Sequence, residues 1–253
     1  MTFSSTCLAG QRILVTGASS GIGQEASVLL SRVGAQLILQ GRDEARLRAT
    51  AGRLEGEGHL LRSADLTDAD ASAAYVEGVA KEVGPLAGVF HCAGSSLVLP
   101  AKLTKTKHLD DVFGAGFRGA FGIARAAAKK NVITDGGSLV FMSSVASVRG
   151  RQGIVAYSAA KAAVDGMVRA LAAELASRRI RVNSIIAGAV ETAMHQDIVR
   201  SIDEAAVAEY ANLHLLGFGQ PADVANAAIF LLSDASPWIT GSSLKVDGGY
   251  TAK

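Results

Sequence analysis

Residues 12–41 read RILVTGASSGIGQEASVLLSRVGAQLILQG, and this stretch decides the fold. It opens on a short apolar run at 13–15. The turn Thr16-Gly17-Ala18-Ser19-Ser20-Gly21-Ile22-Gly23 follows, and 21–34 then carry apolar residues at helical spacing. A second apolar run, 36–40, closes the unit. Strand, glycine turn, helix and strand in this order form the context that a dinucleotide-binding fingerprint requires. Glycines let the backbone turn tightly and approach a pyrophosphate. The helix start offers free N–H groups and the positive end of the helix dipole. The spacing, with glycines at 17, 21 and 23, is G-x-x-x-G-x-G rather than the commoner G-x-G-x-x-G. The turn is expected to hold the phosphates of a nucleotide.

The same alternation continues outward. Further short apolar runs lie at 59–61, 86–91, 138–142, 182–186 and 243–246, and most are continuous, as strands covered on both faces are. Between them, 43–57, 69–83, 110–130, 157–178 and 221–232 carry Ala, Leu, Glu, Arg and Val at helical spacing. Strand and helix in strict turn predict a parallel sheet of about seven strands with right-handed crossovers. No Pro- or Ser-rich linker interrupts the pattern. The expectation is an α/β chain with one doubly wound Rossmann-type domain over 1–253, its sheet covered by helices on both faces.

Composition narrows the function classes. Hydrophobic residues make up 49% of the 253 and charged residues 19%, which excludes a disordered, charge-rich chain. The 28 glycines follow no three-residue period, so collagen is excluded. Charge is nearly balanced at +2, with no basic stripe, and no nucleic-acid partner is expected. No apolar run of about 18 residues exists, so no membrane span is expected. The N-terminus does not read as a signal peptide. Cys7 and Cys92 are too few for a disulfide scaffold and are read as reduced thiols, which points to the cytoplasm. His91, His195 and His214 have no ligand-spaced Cys or carboxylate; they are read as packing or surface residues, with no metal.

Cofactor type is read at the end of the second strand, Gln40-Gly41-Arg42. An acidic residue there would bind the ribose 2′-OH of NAD, whereas an arginine accommodates the 2′-phosphate of NADP. Arg42, with its planar fork of donors, favours NADP(H). Asp43 beside it is expected to cap the next helix. Further on, Tyr157-Ser158-Ala159-Ala160-Lys161 puts a phenol and an ammonium at i and i+4 on one helical face. Ser144 lies 13 residues before Tyr157, just after the fifth strand. Loops at the carboxyl ends of strands are where open α/β sheets bind ligands, so the three groups can converge beside the nucleotide.

These residues resemble those of the short-chain dehydrogenase/reductase family, in its single-domain form similar to 3-oxoacyl-thioester reductases. The matching pieces are TGASSGIG at 16–23, Asp65, Ala93-Gly94, Ser144, Tyr157-x-x-x-Lys161, Arg181-Val182-Asn183, Gly188 with Thr192, and Val246-Asp247-Gly248-Gly249. Together they run nearly the whole length. The resemblance implies hydride transfer between NADP(H) and a carbonyl/secondary alcohol pair. Tyr157 would be general acid or base, and the Lys161 charge would favour its phenolate. Ser144 would hold the substrate oxygen, and Lys161 the nicotinamide ribose. Cofactor contacts are implied for Gly17, Ser19, Ser20, Gly21, Ile22, Gly23, Arg42, Asp65, Leu66, Cys92, Ala93, Gly94, Tyr157, Lys161, Gly188, Val190 and Thr192. Asp65 would meet the adenine edge or cap the next helix, and Thr192 the nicotinamide amide. Asn183 reads as structural.

Three departures from the family pattern stand out. His91-Cys92 stand where Asn-Asn is usual, Ala187 replaces a common proline, and Gly116 falls where many members carry the asparagine of a catalytic tetrad. Gly116 motivates the alternative reading, a weakly active or nonenzymatic NADP(H)-binding scaffold or sensor. Small residues on several faces of 110–130 and 157–178 suggest close helix packing between subunits, hence a homotetramer of two-fold symmetry. A substrate flap is expected over about 189–219. Its Met194, Ile198, Val199, Ile202, Val207, Leu213, Leu215 and Leu216 suggest an apolar pocket roof, or pack the flap on the body.

Overall fold

Seven strands form one parallel sheet in the order β3-β2-β1-β4-β5-β6-β7, in a computed structural model that describes residues 3–200 and 203–252. The strands are β1 (Arg12–Thr16), β2 (Gln36–Gly41), β3 (Leu60–Ser63), β4 (Leu86–His91), β5 (Ile133–Ser144), β6 (Arg181–Ala187) and β7 (Ser243–Val246). The helices are α1 (Gly21–Arg32), α2 (Glu44–Ala51), α3 (Ala69–Val83), α4 (Thr106–Phe113), α5 (Gly119–Ala128), α6 (Val155–Leu175), α7 (Ala193–Arg200), α8 (Glu204–Asn212) and α9 (Pro221–Leu232). Ile202 lies outside the described residues, as does the side chain of Ile198.

Strand composition explains the layering. The central strands are buried on both faces, so their continuous apolar runs feed two cores. Leu14, Val89, Leu139, Phe141 and Val182 pack under α3, α5 and α6, while Ile13, Val15, Leu37, Leu39 and Phe90 pack under α1, α2 and α9. The chain winds outward from β1 to β3 and then returns to β4, on the other side of β1. This reversal opens a crevice at the carboxyl ends of β1 and β4, the usual ligand position in such sheets. Asp43 caps α2 by accepting from Arg46 N at 3.0 Å, as its position predicts.

The stretch expected as one helix over 110–130 is two. It starts earlier, at Thr106, and a π-turn at Gly114–Arg118 divides α4 from α5. Glycines at 114 and 116 weaken the ladder there, and the Ala115 carbonyl accepts instead from His91 Nε2 at 2.9 Å. Many of the small residues of this stretch also have a different role from the one expected. A Cβ on Gly119 would overlap the Leu66 carbonyl, and one on Gly122 the Ala69 carbonyl. Those glycines bring α5 against α3 within the chain. On α6, by contrast, Ala159, Ala162, Ala170 and Ala173 face outward.

Candidate active site

A cleft of about 760 Å³ lies over the carboxyl ends of β1, β4, β5 and β6. Every residue expected to contact cofactor or substrate lines it except Gly23, which shapes it from beneath. A Cβ on Gly23 would overlap the Gly17 carbonyl, and one on Gly17 would lie 2.9 Å from Ala93 N. Glycine at both positions draws the turn against the end of β4. Gly21 has φ +53°, which a side chain would strain, and opens α1 into the cleft. Ser20 stands at the N-cap of α1 without a capping side-chain bond, whereas Asp43 and Asp68 cap α2 and α3. The first N–H groups of α1 are thus left for an anion. The turn fits a nucleotide pyrophosphate, with Arg42 exposed at one edge of the cleft.

Beneath the turn lies a buried relay of hydrogen bonds. β1 and β4 pair Thr16 with His91 in register, and Thr16 Oγ1 lies 2.8 Å from His91 Nδ1. Because the Ala115 carbonyl can only accept, His91 carries its proton on Nε2, and the Thr16 hydroxyl donates to Nδ1. Thr16 Oγ1 then accepts from the backbone of Cys92 and Ala93 at 3.1 and 3.2 Å. Burial pushes His91 down to about 4, against its bond to Ala115, and the Lys161 charge lowers it further. Burial likewise pushes the Cys92 thiol up to about 12, so it is no nucleophile at neutral pH.

Tyr157 and Lys161 share the cleft face of α6, with the Lys161 nitrogen 5.8 Å from the phenol ring centre. Lys161 is buried and donates to the Met142 carbonyl at 3.0 Å. Ser143 and Ser144 are separated by their partners. Ser143 donates inward to Asp165 Oδ2 at 3.0 Å, while Ser144, half-buried, lines the cleft and accepts from Ala146 N at 3.2 Å. Gly116 sits at the same end. A Cβ on Gly94 would lie 3.8 Å from Gly116 Cα and 3.7 Å from the Lys161 nitrogen, whereas one on Gly116 would meet nothing within 4 Å.

Asp65 lines the cleft and accepts from Thr67 N at 2.9 Å, but it does not cap α3; Asp68 does, accepting from Ala71 N at 2.8 Å. Sequence reasoning missed Asp165. It is 5% exposed, one turn beyond Lys161, and accepts from Ser143 on β5 and from Ser184 on β6 at 2.7 Å. It therefore fixes α6, and with it Tyr157 and Lys161, to the sheet. The available signal was an acid within the apolar face of a helix, beside Val164 and Val168. The role of His91 was also missed; its departure from the family pattern was the signal.

The flap is stitched at its root, where Val190 and Gly219 bridge and Glu191 N donates to Gly219 O at 2.8 Å. Of the apolar residues named for the flap, Met194 alone lines the cleft among the described side chains, and Leu213 follows the alternative of packing on the body. Met194, His195 and Tyr210 line the cleft. Leu213 packs downward near Val145, Ile186 and Tyr250, and Leu216 is 86% exposed. Rings dominate: Tyr210 and Phe218 flank His195, and His214 meets Tyr210, Phe218 and Tyr250, the last tilted at 4.7 Å. His214 Nε2 accepts from Ala189 N at 3.1 Å, tying the end of α8 to the flap root.

Comparison with known proteins follows the same lines. A family described as enoyl-(acyl carrier protein) reductase matches residues 17–251. Carbonyl reductase family member 4 of Danio rerio is 36% identical over 236 residues, covering 93% of this chain and 96% of that protein. The 3-oxoacyl-(acyl-carrier-protein) reductase of Thermotoga maritima is 32% identical over 96% of this chain and 98% of its own. A short-chain type dehydrogenase/reductase from Mycobacterium ulcerans superposes with a TM-score of 0.89 at 32% identity, covering 99% of this chain and 92% of that one.

Proposed function

Because the chain belongs to the short-chain dehydrogenase/reductase family, we propose that it is an NADP(H)-dependent oxidoreductase acting on a carbonyl/secondary alcohol pair. The observation that carries this reading is the meeting of Tyr157, Lys161 and Ser144 in the cleft that the glycine turn opens. Bound in that cleft, the nicotinamide nucleotide would supply or accept the hydride. The chain's own residues do the rest. The turn at 17–23 and the uncapped start of α1 hold the pyrophosphate. Arg42 takes the 2′-phosphate, Asp65 the adenine edge and Thr192 the nicotinamide amide. Ser144 orients the substrate oxygen, which places it for proton exchange with Tyr157 Oη. Lys161, fixed by Met142 O, sets its charge beside the phenol ring.

Two further assignments belong to the reading. The outward row of small residues on α6, with Val155 60% and Phe121 47% exposed beside it in sequence and fold, suits a two-fold assembly into a homotetramer, which light scattering tests. The free thiols of Cys7 and Cys92 suit the cytoplasm.

The decisive assay follows loss of reduced-cofactor absorbance with a panel of ketones, 3-oxoacyl thioesters first. Tyr157→Phe is expected to lower kcat by about 10²- to 10⁴-fold. Gly116, with open space where a side chain would stand, is what favours the second reading. Cofactor binding with no turnover across the panel would establish that reading, a scaffold or sensor, and defeat the first.

A further inference from the structure

The flap contributes a polar group that the proposed reaction does not use. His195, on α7, is 8% exposed, and its Nε2 is buried without a hydrogen-bond partner among the described residues. Its neighbours are ring walls. Phe218 meets the imidazole edge-on at 4.5 Å, and the Tyr210 ring centre lies 6.2 Å away. A buried polar nitrogen without a partner is rare in a folded chain and calls for one. His195 also lines the cleft, together with Ser144, Tyr157 and Tyr210, which puts an occupant of the cleft next to this ring. Tyr210 stands near enough to Tyr157 for the two phenols to interact, which puts this group on the substrate side.

The charge state fits. Burial lowers the His195 imidazole below its ordinary range, Glu191 opposes this, and His214 reinforces it. The ring is neutral at pH 7 and carries one donor and one acceptor. The Arg151 guanidinium lies 4.4 Å from the Tyr210 ring centre, adding a cation on the same side.

Resting on the oxidoreductase reading, we propose that His195 is a specificity-determining residue. In its Nε2–H form it donates to a second oxygen of the substrate, so the cleft selects ketones that carry a further carbonyl or carboxylate group over monofunctional ketones. The shared chemistry is an oxygen acceptor a few bonds from the reacting carbonyl. It can come from the carboxylate of an oxoacid or from the carbonyl of an oxoacyl thioester.

Three ligands that share a methyl ketone end separate these sources: 3-oxobutanoate, its pantetheine thioester and 2-pentanone, each assayed with the cofactor-loaded protein. His195→Leu is expected to raise KM for an oxygen-bearing ligand by about tenfold or more, and to leave 2-pentanone within about twofold. His195→Gln, which keeps a donor, recovers part of the loss. A loss confined to the oxoacid identifies the carboxylate, and one confined to the thioester identifies the thioester carbonyl. An equal loss on all three ligands, or none on any, overturns the proposal. Calorimetric binding of the same ligands to cofactor-loaded Tyr157→Phe needs no turnover. Preference over 2-pentanone there, abolished by His195→Leu, upholds the assignment even where the wild-type chain reduces nothing, an outcome that would defeat the catalytic reading alone. No preference there overturns the assignment.

Discussion

On the floor of the cleft, buried polar groups are paired one by one: Thr16 with His91, His91 with Ala115, Lys161 with Met142, and Ser143 and Ser184 with Asp165. The flap is held in another way. One imidazole, His214, is hydrogen-bonded on both nitrogens, to Tyr210 O and Ala189 N, while its neighbour His195 leaves a buried nitrogen without a partner among the described residues. Edge-on and tilted rings pack around them. Directional bonds fix the floor to one geometry, as the proton transfer proposed for Tyr157 requires. Edge-on and tilted ring contacts hold the flap while leaving polar capacity for a ligand. On the proposed reading, the difference separates the part that sets the chemistry from the part that sets the substrate.

The sharpest way to break this contrast is at Asp165. Asp165→Ala removes the acceptor shared by Ser143 and Ser184, and should cost about 2–4 kcal/mol of stability through the donors it strands. Thermal or denaturant unfolding measures it. Asp165→Asn, which keeps one acceptor oxygen, should cost less. A loss below about 0.5 kcal/mol for the alanine variant would mean that the floor is not held by these bonds.

The second test uses pH. His91 is held near 4 in the folded chain against an ordinary 6.5. Between those values the unfolded chain binds the extra proton, so stability is full above about 6.5 and falls as pH drops toward 4. The shift corresponds to roughly 3 kcal/mol. Unfolding followed from pH 7 to 4 should show this slope, and His91→Asn should flatten it. His195 and His214 are also lowered by burial and add in the same direction. A slope unchanged in His91→Asn would assign the effect to the flap instead.

How much of this was legible differs between the same two regions. The strands and the glycine turn could be read because their signals are local: continuous apolar runs, and glycines at 17, 21 and 23 ahead of a helix. The cap at Asp43 was local too. The start of α4 was not. Its N-cap is Lys105, whose N–H donates to His108 Nδ1 at 3.1 Å, and neither residue belongs to the usual capping set. The π-turn depends on His91, 24 positions away from Ala115, and the Asp165 network joins β5, β6 and α6. Small residues mark close approach but not the partner; Gly119 and Gly122 turned out to face α3. In the flap, apolar composition suggested a roof, yet pairing with Tyr250 and Val145 draws Leu213 down and leaves His195 and Tyr210 on the cleft.

A smaller effect is expected at the nucleotide edge of the floor. Arg42→Ala should narrow the preference for NADPH over NADH by about tenfold, or about 1.4 kcal/mol, with no change in stability. Cofactor titrations followed by fluorescence measure the ratio. An unchanged ratio would make Arg42 an ordinary surface cation.

The smallest change, and the one that bears most directly on the floor, is Gly116→Asn. The π-turn places Gly116 beside Gly94, near Lys161, and a Cβ there meets nothing within 4 Å, so the first atom of a side chain displaces no neighbour. Replacing glycine in a helical segment should stabilise by a few tenths of a kcal/mol, about the difference in helix propensity. Because Lys161 is already fixed by the Met142 carbonyl, and His91 already holds the Ala115 carbonyl, kcat should change by no more than about threefold. Parallel unfolding and steady-state rates on the two proteins decide it. A rise of about a hundredfold would show that the floor as it stands lacks a functional side chain, and would place the wild-type chain among weakly active relatives. A rate near that of the wild type would show that the backbone of the π-turn, held by His91, suffices.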